Sequence, residues 1–311
     1  MTKVDLITGF LGAGKTTFIH RYLRHLADQK TLIIENEFGS IGVDRQFLRD
    51  EACPIEDLSG VCMCCTGRDQ FIRMLIDAAA HSYDRVLVEP SGIYDVDEFF
   101  SVMDLPAVKA CCEIGCVLAV VDARMPEALS PESSYLMVTQ LLAAGTVVLS
   151  KTQFESPETI QSTIAWLNDL IQLNGGNRVL ENDVCKKDSD TLSDSDFKQF
   201  QSSGCQHVKH THKALNHGAI YGSFMTAGYC RDEKDLREKV SSLFEEPRYG
   251  NVIRVKGFIR DQNIDFYEIN CTCREMSVAP TVGLKRGVLV IIGQDLNEKE
   301  LGKVFPKEIN R

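Results

Sequence analysis

Lys15 and Thr16 close the string Gly9-Phe10-Leu11-Gly12-Ala13-Gly14-Lys15-Thr16, a complete GxxxxGK[ST] spacing. Glycines in such a loop let backbone N–H groups turn inward around phosphate oxygens. The lysine amine reaches the outer phosphates, and the threonine hydroxyl suits Mg²⁺. Gly12, Ala13, Gly14, Lys15, Thr16 and Thr17 are therefore expected to bind the phosphates of a nucleoside triphosphate, with Mg²⁺ on Thr16. Glu89-Pro90-Ser91-Gly92 ends an apolar run further along. Behind a phosphate loop, an acidic residue in that place holds Mg²⁺ or its water, and a glycine three residues on can meet the γ-phosphate. Glu89 and Gly92 are the residues expected to do so, with Glu37 as a second carboxylate that can help through water.

Ser150-Lys151-Thr152-Gln153 follows another apolar run, where guanine-binding proteins carry Asn-Lys-x-Asp. Lys151 is expected to cover a base with its stem, and Gln153 to meet the base edge. A glutamine carbonyl accepts only part of what a carboxylate can, so GTP is expected over ATP on weaker grounds than an aspartate would provide.

Cys62-Met63-Cys64-Cys65 puts three thiols in four residues, too close for relaxed disulfides among themselves. As thiolates they can converge on one metal and leave a position open for exchange. A helix starting near Arg68 would favour the thiolate form. Metal coordination, a reactive dithiol and simple packing all remain open; the flanking glycines Gly60 and Gly67 favour a loop over a packed interior. Four of the seven histidines fall between 207 and 217; His207, His210 and His212, after Cys205, could collect metal loosely or lie in a solvated connection. Cys271 and Cys273 would share one strand face, as a ligand pair or as core. Cys111, Cys112 and Cys116 lie beside an apolar strand and are most simply buried.

The elements that must position these residues follow from periodicity. Val4–Thr8 is a strand, and Thr17–Ala27 a helix with Phe18, Ile19, Tyr22, Leu23 and Leu26 on one face. Strands at 31–34, 55–58, 85–88, 115–121 and 146–149 alternate with helices at 68–80, 96–103, 134–144 and from Pro157 to near Gly175. That alternation predicts an α/β fold with a mostly parallel sheet covered on both sides. The expected division is a nucleotide-binding domain over 1–185, a polar histidine-rich connection over 186–217, and a smaller α+β domain over 218–311. The second domain is expected to contain strands at 220–225, 252–259, 265–270 and 288–292 and helices at 233–244 and 297–304. The 311 residues carry a net charge of −10, which argues against nucleic acid or an anionic membrane as partner. No apolar run approaches a membrane span. With the first strand starting at once there is no room for a signal peptide. A cytoplasmic protein with reduced thiols is expected, its twelve cysteines buried, catalytic or metal-binding.

Together these residues resemble the CobW-type metallochaperone GTPases, relatives of the HypB and UreG nickel GTPases. The resemblance rests on Gly9–Thr17, on Glu35–Asp44 (ENEFGSIGVD), on Val61–Cys65 in the place of the family's Gly-x-Cys-x-Cys-Cys, and on Glu89–Gly92; Asn251–Ile259 and Val290–Gly293 extend it. It implies a slow GTPase carrying Zn²⁺ or Co²⁺ on Cys62, Cys64 and Cys65 to a metalloprotein client, with 35–44 as a nucleotide-sensing switch. A homodimer is compatible with it. Asp44 is the candidate for positioning the attacking water. The chain departs from the family at Ser40, usually acidic, at Val61, usually glycine, and at Gln153, usually aspartate. Three other roles share these motifs: an activator that loads a metallocofactor such as a corrinoid, a small-molecule kinase with an idle cysteine cluster, and a metal-storage or redox protein.

Overall fold

The computed structural model describes residues 1–36, 54–58, 67–124, 129–206, 220–227, 229–263, 265–282 and 287–305. It divides into two compact units, Met1–Lys213 and Ala214–Arg311.

The first unit is built on seven parallel strands: β1 (Thr2–Thr8), β2 (Thr31–Glu35), β3 (Ile55–Asp57), β4 (Arg85–Glu89), β5 (Cys112–Asp122), β6 (Thr146–Ser150) and β7 (Val184–Cys185). They lie in the order β3-β2-β4-β1-β5-β6-β7. Strands buried on both faces need continuous apolar runs, which is what Val86-Leu87-Val88 and Val117–Val121 supply. Because every pair is parallel, the carboxyl ends of β1, β2, β4, β5 and β6 share one edge, where ligands of such sheets bind.

Helices cover both faces. α1 (Lys15–Arg24) turns Phe18, Ile19, Tyr22 and Leu23 onto one face, against Ile7, Leu118 and Val120. On the other lie α2 (Arg68–Ala80), α3 (Val96–Met103), the short α4 (Pro106–Lys109), α5 (Pro131–Ala143) and α6 (Pro157–Leu173), with Phe71, Leu75, Phe99, Leu141 and Leu167 in the core. Asp95, Ser130 and Ser156 cap α3, α5 and α6 by accepting from first-turn N–H groups.

The stretch 186–206, expected as the start of a connection, is part of the first unit. After β7 it forms α7 (Asp194–Gln201), closed by a reciprocal capping box between Ser193 and Asp196. Phe197 and Phe200 are buried against Phe18, and His25 stacks on Phe197 at 4.0 Å. Asp190 pairs with Arg21, and Asp194 with His25 at 2.8 Å. Two aromatics three apart bury one stripe of a short helix while its polar residues face water, so average polarity concealed the element. The histidines at 207, 210 and 212 lie outside the described residues.

Cys112 and Cys116 are buried, as expected. Burial, aided by neighbouring Cys111, pushes the Cys112 thiol up to about 12. Burial and the Asp5 carboxylate raise Cys116 well above the ordinary thiol range. Both stay protonated and unreactive near neutral pH.

The second unit contains β8 (Tyr221–Thr226), β9 (Tyr229–Cys230), β10 (Asn251–Asp261), β11 (Phe266–Thr272), β12 (Glu275–Thr281) and β13 (Val288–Gln294), with α8 (Glu233–Glu245) and α9 (Glu298–Val304). The sheet runs β12-β11-β10-β13-β8, antiparallel throughout that path, and β9 pairs with β10 in parallel. Leu236, Val240 and Leu243 of α8 and Leu301 of α9 share a core with Val255, Ile259, Ile269 and Ile291. β12 is absent from the periodicity reading because it is an edge strand with one fully apolar inward residue, Val278, and a proline at 280. β11 ends at Thr272, so Cys271 and Cys273 do not form a facing pair. Cys271 is buried and donates to the Ser277 carbonyl at 3.4 Å, while Cys273 is exposed in the turn.

Candidate nucleotide site at the carboxyl edge of the parallel sheet

The phosphate loop leaves β1 through Gly9, at φ 150°. A Cβ there would lie 2.2 Å from the Val120 carbonyl oxygen of β5, so only glycine passes. Gly12 and Gly14 follow at φ 77° and 92°. Gly14 caps α1 with no side-chain acceptor, and the first turn has no acidic residue. The first N–H groups of the helix are thereby left to an anion. Lys15 is buried, and its amine donates to the Gly9 carbonyl at 3.0 Å, folded within its own loop.

Thr16 Oγ1 donates to Glu89 Oε1 at 2.9 Å. A hydroxyl in the first turn of α1 and a carboxylate at the end of β4 form a hard-oxygen donor set that fits Mg²⁺, which Thr16 and Glu89 would hold. Glu35 entered the sequence analysis only as the start of the 35–44 segment. It ends β2 and stands in register with Glu89, both buried. The signal was visible as a second acidic residue ending an apolar run. Asn36 N–H donates to the Glu89 carbonyl at 2.8 Å, and its side-chain amide to Leu58 O at 3.2 Å, tying the start of the 35–44 segment to β4 and to the residue after β3.

Gly92 abuts the phosphate loop: a Cβ there would lie 2.5 Å from the Leu11 nitrogen. The buried Gln140 amide of α5 donates to the Gly92 and Tyr94 carbonyls at 3.4 and 3.5 Å. Any displacement at Gly92 is thus felt by the loop, by α5 and by the chain leading into α3.

On the β6 side, Ser150 Oγ donates to the Ala13 carbonyl at 2.6 Å, so the serine tethers the phosphate loop to β6. Lys151, at φ 60°, reaches back to the Gly12 carbonyl at 3.1 Å and pairs with Asp122 at 2.9 Å. Asp122 ends β5 and is also gripped by Arg124. Burial works against its charge, but the Arg124 hydrogen bonds and the Lys151 ammonium hold it below the usual carboxylate range. The sequence reading missed Asp122, because a carboxylate ending a strand has no meaning until β6 is known to lie beside β5. Gln153 sits exposed on a 3₁₀ turn, Thr152–Phe154, next to Lys151. We expect Gln153→Asp to raise the preference for GTP over ATP by about tenfold or more, the worth of hydrogen bonds to a charged acceptor. Competition of the two nucleotides for the protein measures it, and an unchanged ratio would show that this turn does not meet the base edge.

Lys15, Thr16, Glu89, Gly92 and Lys151 therefore converge on one edge, with Gly12, Ala13, Gly14 and Thr17 in the same loop and helix start. Glu37, Asp44, Cys62, Cys64 and Cys65 lie outside the described residues. Among the described residues no group of three or more His, Cys, Asp or Glu is placed to hold a metal ion. No helix among them is long and apolar enough to cross a membrane.

The zinc chaperone YeiR of Escherichia coli is 28% identical over 281 residues, spanning 84% of this chain and 83% of that protein. The zinc chaperone YjiA of the same species is 35% identical over 133 residues, 39% of this chain and 40% of that one. The zinc-regulated GTPase metalloprotein activator 1 of Schizosaccharomyces pombe is 28% identical over 182 residues, 55% of this chain and 44% of that one. Among solved structures, Zn(II)-bound YjiA GTPase from E. coli aligns over 97% of both chains at 20% identity with a TM-score of 0.43. The nucleotide-binding domain of one family matches residues 3–196, across the phosphate loop, the Thr16–Glu89 pair and the Ser150–Lys151 tether: the chain belongs to the CobW/HypB/UreG family.

Proposed function

We propose that this protein is a slow GTPase that carries Zn²⁺ on Cys62, Cys64 and Cys65 and releases it to a metalloprotein client according to nucleotide state. The observation that carries this reading is the nucleotide edge itself. Thr16 meets Glu89, and Gly92, three residues on, is pressed against Leu11. The cysteine triplet lies in the sequence between the end of β3 at Asp57 and the start of α2 at Arg68, and α2 leads on to β4 and Glu89. The names of the relatives support zinc as cargo and GTP as fuel.

In this reading the Gly12–Thr17 backbone and Lys15 bind and orient the triphosphate. Thr16 and Glu89 hold Mg²⁺, which when bound neutralises charge on the phosphate oxygens. Lys151, braced by Asp122, covers the base, and Gln153 meets its edge. Glu37 and Asp44, in the switch segment, assist at the metal and at the attacking water. His207, His210 and His212 serve as a loose zinc collector. Co²⁺ is an alternative cargo, and a second copy of the chain an optional partner; cytoplasmic residence follows from the same role.

Zinc titrations of the GDP-bound protein and of the protein with a non-hydrolysable GTP analogue test the coupling. Affinities differing by about fivefold or more are expected, the lower bound of useful allosteric coupling. Equal affinities in both states would defeat the gating.

A further inference from the structure

α5 is buried along most of its length, and Leu136, Met137, Val138, Leu141 and Leu142 form a run of core residues. Gln140 interrupts that run and is itself only 2% exposed. A buried amide costs free energy unless it is hydrogen-bonded. A methionine would fill the space without that cost. Thr139 beside it turns its hydroxyl back onto its own helix, donating to Leu136 O at 2.9 Å. Gln140 instead reaches off α5, and its Nε2 donates to the Gly92 and Tyr94 carbonyls at 3.4 and 3.5 Å.

Those two carbonyls belong to the turn that follows β4. Ser91, Gly92 and Tyr94 are buried, and the Tyr94 N–H closes the turn on the Ser91 carbonyl at 3.1 Å. Gly92 is also pressed against the phosphate loop, since a Cβ there would lie 2.5 Å from Leu11 N and 2.8 Å from Leu11 Cα. Lack of a Cβ permits that approach, but it also leaves the Gly92 backbone free to rotate. A peptide unit is planar, so holding the Gly92 oxygen orients the whole Gly92–Ile93 plane. One side chain from α5 thus removes, at two carbonyls of one turn, the freedom that the glycine introduces. Both bonds are long for N–H···O, as befits one amide straddling two acceptors.

We propose that Gln140 is a positioning residue that pre-sets the Gly92 turn for a γ-phosphate, so that the site tells a nucleoside triphosphate from a diphosphate. This deepens the GTPase reading and rests on it. Groups fixed before the ligand arrives lose little freedom on binding and need no rearrangement in the transition state. Gln140 touches no nucleotide itself. A diphosphate is held by the phosphate loop without help from the Gly92 turn, so its affinity is independent of Gln140.

The experiment uses the full chain with Mg²⁺ and compares wild type, Gln140→Met and Gln140→Asn. It measures affinities for GDP and for a non-hydrolysable GTP analogue, and single-turnover GTP hydrolysis. Methionine keeps the volume without a donor. Asparagine keeps the amide but withdraws it by one methylene, and decides the matter if the methionine variant does not fold; thermal melting reports the fold of each. We expect affinity for the GTP analogue and the hydrolysis rate each to fall about tenfold, with GDP affinity kept within about twofold of wild type. Equal losses for the two nucleotides overturn the proposal, because they show a role in packing the loop as a whole. Unchanged affinity for the analogue together with an unchanged rate also overturns it. A wild type that neither binds nor hydrolyses GTP defeats the GTPase reading, and the role of Gln140 with it.

Discussion

Replacing Lys15 by alanine is expected to lower GTP turnover by about two to three orders of magnitude, the usual cost of removing one donor aimed at charge that develops in the transition state. The Lys15 amine is buried and bonded to Gly9 O at 3.0 Å, at the first residue of the loop. It is therefore already at the site and needs no long search to exchange a carbonyl for a phosphate oxygen. Alanine keeps α1 intact, since it is the best helix former. The effect should accordingly appear in ligand-linked stability more than in the unliganded fold. Wild type with Mg²⁺ and GTP at about a hundred times Kd gains about 2.7 kcal/mol, and the variant at the same concentration should gain almost none. Single-turnover kinetics and thermal melts with and without nucleotide decide it. Turnover within a few-fold of wild type would show that the Lys15 amine never leaves Gly9.

The second large effect concerns the frame under that loop. Asp5 is fully buried on β1. Its Oδ2 accepts from Arg85 of β4 at 2.5 Å and from the Tyr22 hydroxyl of α1 at 2.9 Å, and its Oδ1 from the Cys116 N–H of β5 at 3.0 Å. Gly115 makes room, because a Cβ there would lie 2.2 Å from Oδ1. One carboxylate thus joins four elements, and Arg85 is otherwise held by Gln29 at 2.9 Å. Asp5→Ala removes the acceptor and leaves a buried guanidinium with an amide alone, at a cost of about 3–5 kcal/mol. For a unit of this size that corresponds to a fall in Tm of about 10 °C. Adding Arg85→Met should restore much of the loss, since the orphaned charge is gone. A single variant melting within about 2 °C of wild type would show that the pair contributes little.

How much of this was legible in the chain differs by residue. The glycine loop, Lys15 and Thr16 were recognisable because the backbone geometry that wraps phosphate demands those types in a contiguous run. Glu89 was recognisable because an apolar strand ends on it. The helices at 68–80 and 96–103 match α2 and α3 residue for residue, since each has an apolar stripe and a clear stop. α7 was not legible: two phenylalanines in a polar stretch gain meaning only when Phe18 and His25 of α1 lie opposite. β12 escaped because an edge strand needs little apolar periodicity.

The sequence by itself determined the phosphate-binding chemistry, the parallel α/β class and the presence of a thiol triplet, because each is carried by residues adjacent in the chain or by a local period. Only the tertiary structure decided which distant residues share an environment. It set Glu35 beside Glu89 through the β2–β4 register, braced Lys151 with Asp122 across β5 and β6, and tied Ala13 to Ser150. It also buried the Asp5–Arg85 pair beneath the loop. Strand order is settled by the packing of the whole chain, and no local pattern encodes which strand lies next to which.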